Sequence, residues 1–221
     1  MPTDPRAALL DLIATLSFKL GDFTLASGQK SDYYIDCRTT TLHAEGGRLA
    51  GLVFYELICE HMPHVAAVGG LTMGADPLVS NTASASAWAL ADYDEMLRLS
   101  AEPEFDDEDP GPAPTLIHGF LVRKQEKDHG TGRRIEGFLQ PGAPVVIVDD
   151  VCTTGASTIA AIEATRDAGM IVAGVLCLVD REQGGRDNIE RALAEVPSRK
   201  IAPFHSVFTA SDVRRAHLAL T

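Results

Sequence analysis

Residues 145 to 158 read VVIVDDVCTTGAST: an apolar run, two adjacent carboxylates, then a small polar loop leading into a helical pattern. A continuous apolar run has no solvent-facing side, so it predicts a strand covered on both faces rather than the edge of an open sheet. The same texture recurs in HVAAVGG (64–70), TLIHGFLVR (115–123) and IVAGVLCLVD (171–180), with helical patterns between them at 77–91, 157–168 and 187–194. Alternating strands and helices predict an α/β fold, a central mostly parallel sheet with right-handed crossovers and helices on both faces. At 221 residues and 45% hydrophobic composition, the chain supplies one full-sized core, so a single domain is expected.

The N-terminal 40 residues stand apart from this pattern. Asp4 before Pro5 reads as an N-cap with proline at the first helical position. Leu9, Leu12, Ile13, Leu16 and Leu20 then form a helical stripe ending at Gly21. The polar stretch ASGQKSDYYIDCRTT follows, with a short strand expected at YYIDC. A helix over 45–61 is expected to bury Leu49, Leu52, Val53 and Leu57, with Pro63 as its stop.

Composition excludes several classes of protein. No run approaches a membrane span, and the first helix is broken by Asp11 and Lys19, so neither a spanning segment nor a signal peptide is expected. Cys37, Cys59, Cys152 and Cys177 are scattered without a CxxC pair, which fits reduced thiols in the cytoplasm, with Cys59 and Cys177 as small buried apolar side chains. A formal net charge of -12 disfavours nucleic acid, so any phosphate site must be local. Half of that charge comes from AEPEFDDEDPGPAPT (101–115), whose six acids and four prolines predict an exposed insertion.

The chemistry concentrates at 145–158. In an open α/β sheet, ligands bind at the carboxyl ends of the strands, which is where Asp149 and Asp150 fall. Gly155 lets the backbone turn tightly, and inward N–H groups with a helix N-terminus make a phosphate cradle. Thr153, Thr154 and Ser157 add hydroxyl donors. Two carboxylates would repel that phosphate, so they call for ribose hydroxyls or a divalent cation, and a phosphorylated sugar satisfies both halves. The GxxxxGK[ST], GxGxxG, HExxH and GxSxG patterns are absent, which disfavours P-loop, dinucleotide, zinc-peptidase and serine-hydrolase readings.

These residues carry a family resemblance. VVIVDDVCTTGAS, Val145 to Ser157, resembles the thirteen-residue signature for phosphoribosyl pyrophosphate (PRPP) in the type I phosphoribosyltransferases. FTLASGQKSDYYID (23–36), VRKQEKDHGTG (122–132) and VDREQGG (179–185) resemble the substrate segment, catalytic loop and orotate-contacting strand end of the orotate phosphoribosyltransferase family. GGLTMGADP (69–77) stands where that family has its pyrophosphate loop. The resemblance runs from about residue 20 to residue 190, and only the acidic insert falls clearly outside it.

The resemblance implies the type I phosphoribosyltransferase fold, with residues 1–40 forming a small N-terminal hood segment beside the sheet, and transfer of the phosphoribosyl group from PRPP to orotate, giving orotidine 5'-monophosphate and pyrophosphate, in pyrimidine biosynthesis. It implies Mg2+ held mainly through PRPP, and a homodimer in which the loop 122–134 covers the neighbouring site. Lys127, His129, Asp149 and Asp150 are then catalytic. Arg123, Lys124, Lys127 and His129 meet the pyrophosphate, and Asp149, Asp150, Val151, Cys152, Thr153, Thr154, Gly155, Ala156 and Ser157 hold the ribose and 5'-phosphate. Thr153, Arg181 and Tyr34 face orotate. Ala26 and Met73 depart from the lysines that many relatives carry there. A purine or uracil transferase is disfavoured by Arg181 and the 23–36 segment. A PRPP-sensing regulator is disfavoured by the lack of a basic nucleic-acid face.

Overall fold

The computed structural model describes residues 4–24, 30–100, 111–124, 134–194 and 203–220. The chain opens with α1 (Pro5–Leu12), whose cap is the one expected: Asp4 Oδ1 accepts from the backbone N–H groups of Arg6 and Ala7 at 2.9 and 3.2 Å. A π-helical turn, Ile13–Ser17, extends it. The helical stripe does not reach Leu20. From Phe18 the chain becomes β1 (Phe18–Thr24), paired antiparallel with β2 (Lys30–Ile35), and Leu20 is exposed. Cross-strand bonding to β2 outweighs the helical spacing, a long-range contact that spacing alone does not report. The ribbon is tied to the C-terminal helix by Arg214 and Asp32, 2.7 Å apart.

After the short α2 (Arg38–Thr41) comes α3 (Ala44–His61). Its buried face centres on Phe54 and Ile58, so Leu49 and Val53 are buried as expected, while Leu52 and Leu57 are half-buried. Cys59 corrects an expectation. It lies on the outer side of the last turn of α3 and is exposed, whereas Cys37, Cys152 and Cys177 are buried, and all four thiols are free.

The central sheet has six strands: β3 (Ala67–Leu71), β4 (His118–Val122), β5 (Ile135–Gly137), β6 (Pro144–Cys152), β7 (Ile171–Asp180) and β8 (Phe204–Thr209), in the order β5-β4-β3-β6-β7-β8. Every pairing is parallel except β4 with the edge strand β5. The continuous apolar runs are explained by two cores. Val146 and Val148 of β6, with Leu176 and Leu178 of β7, pack beneath α1, α3, α4 (Asp76–Ser100) and α7 (Ala210–Leu220). Val145, Ile147, Val175 and Cys177 point the other way, towards α5 (Ala156–Asp167) and α6 (Gly185–Ala194). α4 runs nine residues beyond its expected end at 91, and β5, β8 and α7 were not anticipated. The acidic insert lies outside the described residues over 101–110, and its far end is fastened to α4 where Tyr93 Oη donates to Gly111 O at 2.9 Å.

Along the chain, β3 leads to β4 on one side and β6 opens the other side. The sheet therefore has its topological switch point between β3 and β6, where the first turns of the two halves diverge and leave a crevice.

Candidate active site

At that switch point lies a cleft of about 560 Å³, and the carboxyl ends of β3, β4, β6 and β7 all contribute to it. β3 supplies Leu71 and the turn Thr72, Met73 and Gly74; β4 leads to Lys124; β6 ends in Asp149, Asp150 and Val151; Arg181 follows β7. Thr153 and Ser157 come from the β6–α5 turn. The hood closes the remaining side with Tyr34, Ile35, Asp36 and Arg38.

The acid pair is unusual in how little positive charge touches it. Asp149 Oδ2 accepts from Thr158 Oγ1 at 2.6 Å, and Asp149 Oδ1 accepts from Asp150 N at 3.1 Å. Neither carboxylate has an ion-pair partner among the described residues. Burial pushes the Asp149 carboxyl up to about 7, reinforced by the charge of Asp150. Asp150 is also raised, first by burial and also by Asp36, against the opposing pull of Arg38. A buried carboxylate pair in this condition favours a ligand that donates hydroxyl groups or carries a cation. Gly74 is necessary to the approach of the facing turn, since a Cβ on it would lie 2.3 Å from Asp150 Oδ1.

Beyond the acids, Gly155 sits at φ 79° and caps the twelve-residue helix α5. The left-handed backbone favours glycine there, and a Cβ would also lie 2.8 Å from Ile189 Cγ1. The turn is fastened on its outer side, where Asn188 Nδ2 donates to Thr154 O at 2.9 Å. Cys152 is buried and Ala156 exposed, so the thiol packs into the body while Thr153 and Ser157 face the cleft.

At the other end, Arg181 is buried. Its N–H donates to Cys152 O at 2.9 Å, its guanidinium lies 4.9 Å over the Tyr33 ring, and Nη2 donates to Ser31 Oγ at 3.5 Å. Its Nε is buried with no hydrogen-bond partner among the described residues. A buried donor left unmet costs about 1–3 kcal/mol, and more when it is charged, so the position suits a ligand that brings an acceptor. Tyr34, the aromatic residue anticipated at this site, lines the cleft beside Phe23, with ring centroids 5.6 Å apart; its neighbour Tyr33 carries Arg181.

Of the basic loop, Arg123, Lys124 and Arg134 are described, whereas Lys127 and His129 lie outside the described residues, as does Ala26. Arg123 does not line the cleft; it pairs with Glu136 at 3.3 Å, and its N–H donates to Arg134 O at 2.8 Å, which joins the two ends of the loop. Ser31, Tyr33 and Asp36 lie inside the 23–36 stretch matched to a substrate segment but were not singled out in the sequence, and Arg38 falls just beyond it. Their individual places depend on the fold of the hood onto the sheet, which no local pattern reports.

No family model matches the chain. Curated relatives are similar over almost its whole length. The orotate phosphoribosyltransferase of Aquifex aeolicus is 39% identical over 211 residues, spanning 94% of this chain and 97% of the relative. Among solved structures, orotate phosphoribosyltransferase of Mycobacterium tuberculosis with Fe(III) dicitrate superposes with a TM-score of 0.70 at 34% identity, covering 95% of this chain and 99% of the other. The same mycobacterial enzyme in complex with PRPP gives 0.65 at 30% identity, with the same coverage.

Proposed function

The chain belongs to the orotate phosphoribosyltransferase family, and on that premise we infer that its cleft transfers the 5-phosphoribosyl group of PRPP to orotate, releasing pyrophosphate and orotidine 5'-monophosphate in UMP biosynthesis. The observation that carries this assignment of residues is the single cleft in which an uncompensated carboxylate pair, a glycine-capped helix N-terminus and a buried, incompletely bonded arginine face one another.

The helix N-terminus and the Thr153 to Ser157 turn hold the 5'-phosphate, because N–H groups and hydroxyls there donate and the α5 dipole favours an anion. Asp149 and Asp150 accept the ribose hydroxyls and stabilise the positive character that C1 gains as its bond to pyrophosphate lengthens. Val151 and Cys152 carry the backbone of this wall, and Gly155 and Ala156 set the turn. Arg181 presents its planar fork to the carbonyls and carboxylate of orotate, and with Thr153 and Tyr34 aims the ring nitrogen at C1. Lys124, Lys127 and His129 meet the leaving pyrophosphate, while Arg123, paired with Glu136 outside the cleft, anchors the start of their loop.

The carboxylates are also compatible with magnesium: burial raises both, and a nearby cation would favour their ionised forms. By resemblance the ion is carried in mainly by PRPP, and Asp149 and Asp150 are the carboxylates of the cleft wall that would face it. Held there, Mg2+ would supply positive charge to the leaving group.

By resemblance, the working form is a homodimer whose loop 122–134 covers the neighbouring site. No helix among the described residues is long and apolar enough to cross a membrane, and four free thiols support a reducing, cytoplasmic setting.

The direct test is ultraviolet loss of orotate on mixing protein, Mg2+ and PRPP, repeated with uracil, hypoxanthine and xanthine. Consumption of orotate alone is expected. Turnover of another base with orotate untouched would overturn the substrate.

A further inference from the structure

The pyrophosphate end of the cleft is short of positive charge. The turn Thr72, Met73 and Gly74 carries no ionisable side chain, and Asp149 and Asp150 stand across from it. Three described cations line the cleft. Arg181 is committed to the opposite end, over Tyr33 and beside Ser31. Lys124 is the second. The third is Arg38, on the hood.

We propose that Arg38 is a pyrophosphate-binding residue, supplying from the hood the charge that Met73 does not supply from the β3–α4 turn; this rests on the PRPP-dependent reading above. Asp36 holds the side chain in a fork: its Oδ1 accepts from Arg38 Nε at 2.8 Å and from the Arg38 backbone N at 3.1 Å, and its Oδ2 accepts from Nη2 at 2.7 Å. Two of the five guanidinium N–H groups are thereby used, and Nη1 has no acceptor among the described residues. The side chain remains 45% exposed, so the outer edge of the guanidinium stays available in the cleft. Its charge is already felt by the acid pair, since Arg38 pulls the Asp150 carboxyl down against burial.

This arrangement suits a multiply charged phosphate better than it suits a purely structural pair. A planar guanidinium held flat by one carboxylate offers its remaining donors in a fixed fan, matched to phosphate oxygens, with little side-chain freedom left to lose on binding. A structural role alone would end with Asp36, whose fork already satisfies the start of α2.

The test compares Arg38→Ala and Arg38→Lys with the wild type in two assays: steady-state kinetics, and calorimetric binding of Mg2+ with pyrophosphate alone. Arg38→Ala is expected to raise the KM for PRPP and the dissociation constant for pyrophosphate by about tenfold to a hundredfold. The KM for orotate should change by less than about twofold, since a group that touches only the leaving pyrophosphate adds little to orotate binding. The lysine variant should recover part of the pyrophosphate affinity. Unchanged pyrophosphate binding in Arg38→Ala overturns the proposal, and so does a lysine variant as impaired as alanine with a matching loss of thermal stability. A wild-type protein that binds pyrophosphate without consuming orotate would overturn the orotate assignment alone, and the binding comparison would still decide the role of Arg38.

Discussion

At the scale of single residues, the site is governed by Asp149. Its carboxyl is raised from the ordinary 3.8 to about 7, mainly by burial, so its ionisation opposes folding. The raised value fixes the sign. The stability this group contributes is fully present below its unfolded value and is lost as pH rises towards the folded one. Asp149→Asn removes that loss while preserving the bonding pattern, since its amide oxygen accepts from Asp150 N and its amide nitrogen donates to Thr158 Oγ1. The variant should melt above the wild type at pH 8, by up to roughly 9–17 °C at about 1.4 kcal/mol per pKa unit and about 2–4 °C per kcal/mol for a chain of this size. That gap should shrink steadily as pH falls from 7 to 4, while transfer activity drops by at least about a hundredfold because the charge proposed to face the ribose is gone. Calorimetric melts across that pH range, with activity measured at pH 8, check both halves. A gap that is constant with pH would place the stabilisation elsewhere.

The element that most depends on one residue is the β6–α5 turn. Gly155→Ala places an L side chain at φ 79° and a Cβ 2.8 Å from Ile189 Cγ1 and 3.0 Å from Gly185 O, so strain and collision combine. A loss of about 1–3 kcal/mol in denaturant unfolding is expected, together with a several-fold rise in the KM for PRPP. Gly142→Ala is the control. It has a similar φ of 83° with nothing within 4 Å and lies at the amino end of β6, so it should lose about 1 kcal/mol and leave KM unchanged. This element was legible in the sequence because its apolar run, acids and turn are contiguous, and the expected span of β7, 171–180, is the span observed. β5 escaped because three residues carry no pattern, and β1 because its Leu20 continued a helical spacing that only cross-strand pairing broke. Arg38 and Tyr33 escaped for a related reason. Their place in the cleft depends on the hood folding onto the sheet, which brings Ser31 to Arg181 across 150 positions of sequence.

For the whole molecule, charge balance connects the cleft to assembly. Its described wall sets Asp36, Asp149 and Asp150 against Arg38, Lys124 and Arg181, so one chain's described wall offers no surplus for two phosphates. Lys127 and His129 belong to a loop whose ends meet where Arg123 N donates to Arg134 O. If this loop serves the partner's site, two defects on different chains complement each other. Lys127→Ala alone should lose most turnover with little change in melting temperature, and Arg181→Ala alone should lose orotate binding. In a mixed dimer, the site that keeps Arg181 receives an intact Lys127, while the other site carries both defects. Random exchange makes half of the dimers mixed, each with one working site, so activity should return to about a quarter of the wild type. Unfolding and refolding the two inactive variants together, followed by the orotate assay, measures this. Activity that stays at the level of the separate variants would mean each loop closes over its own cleft, with the pyrophosphate charge supplied within one chain.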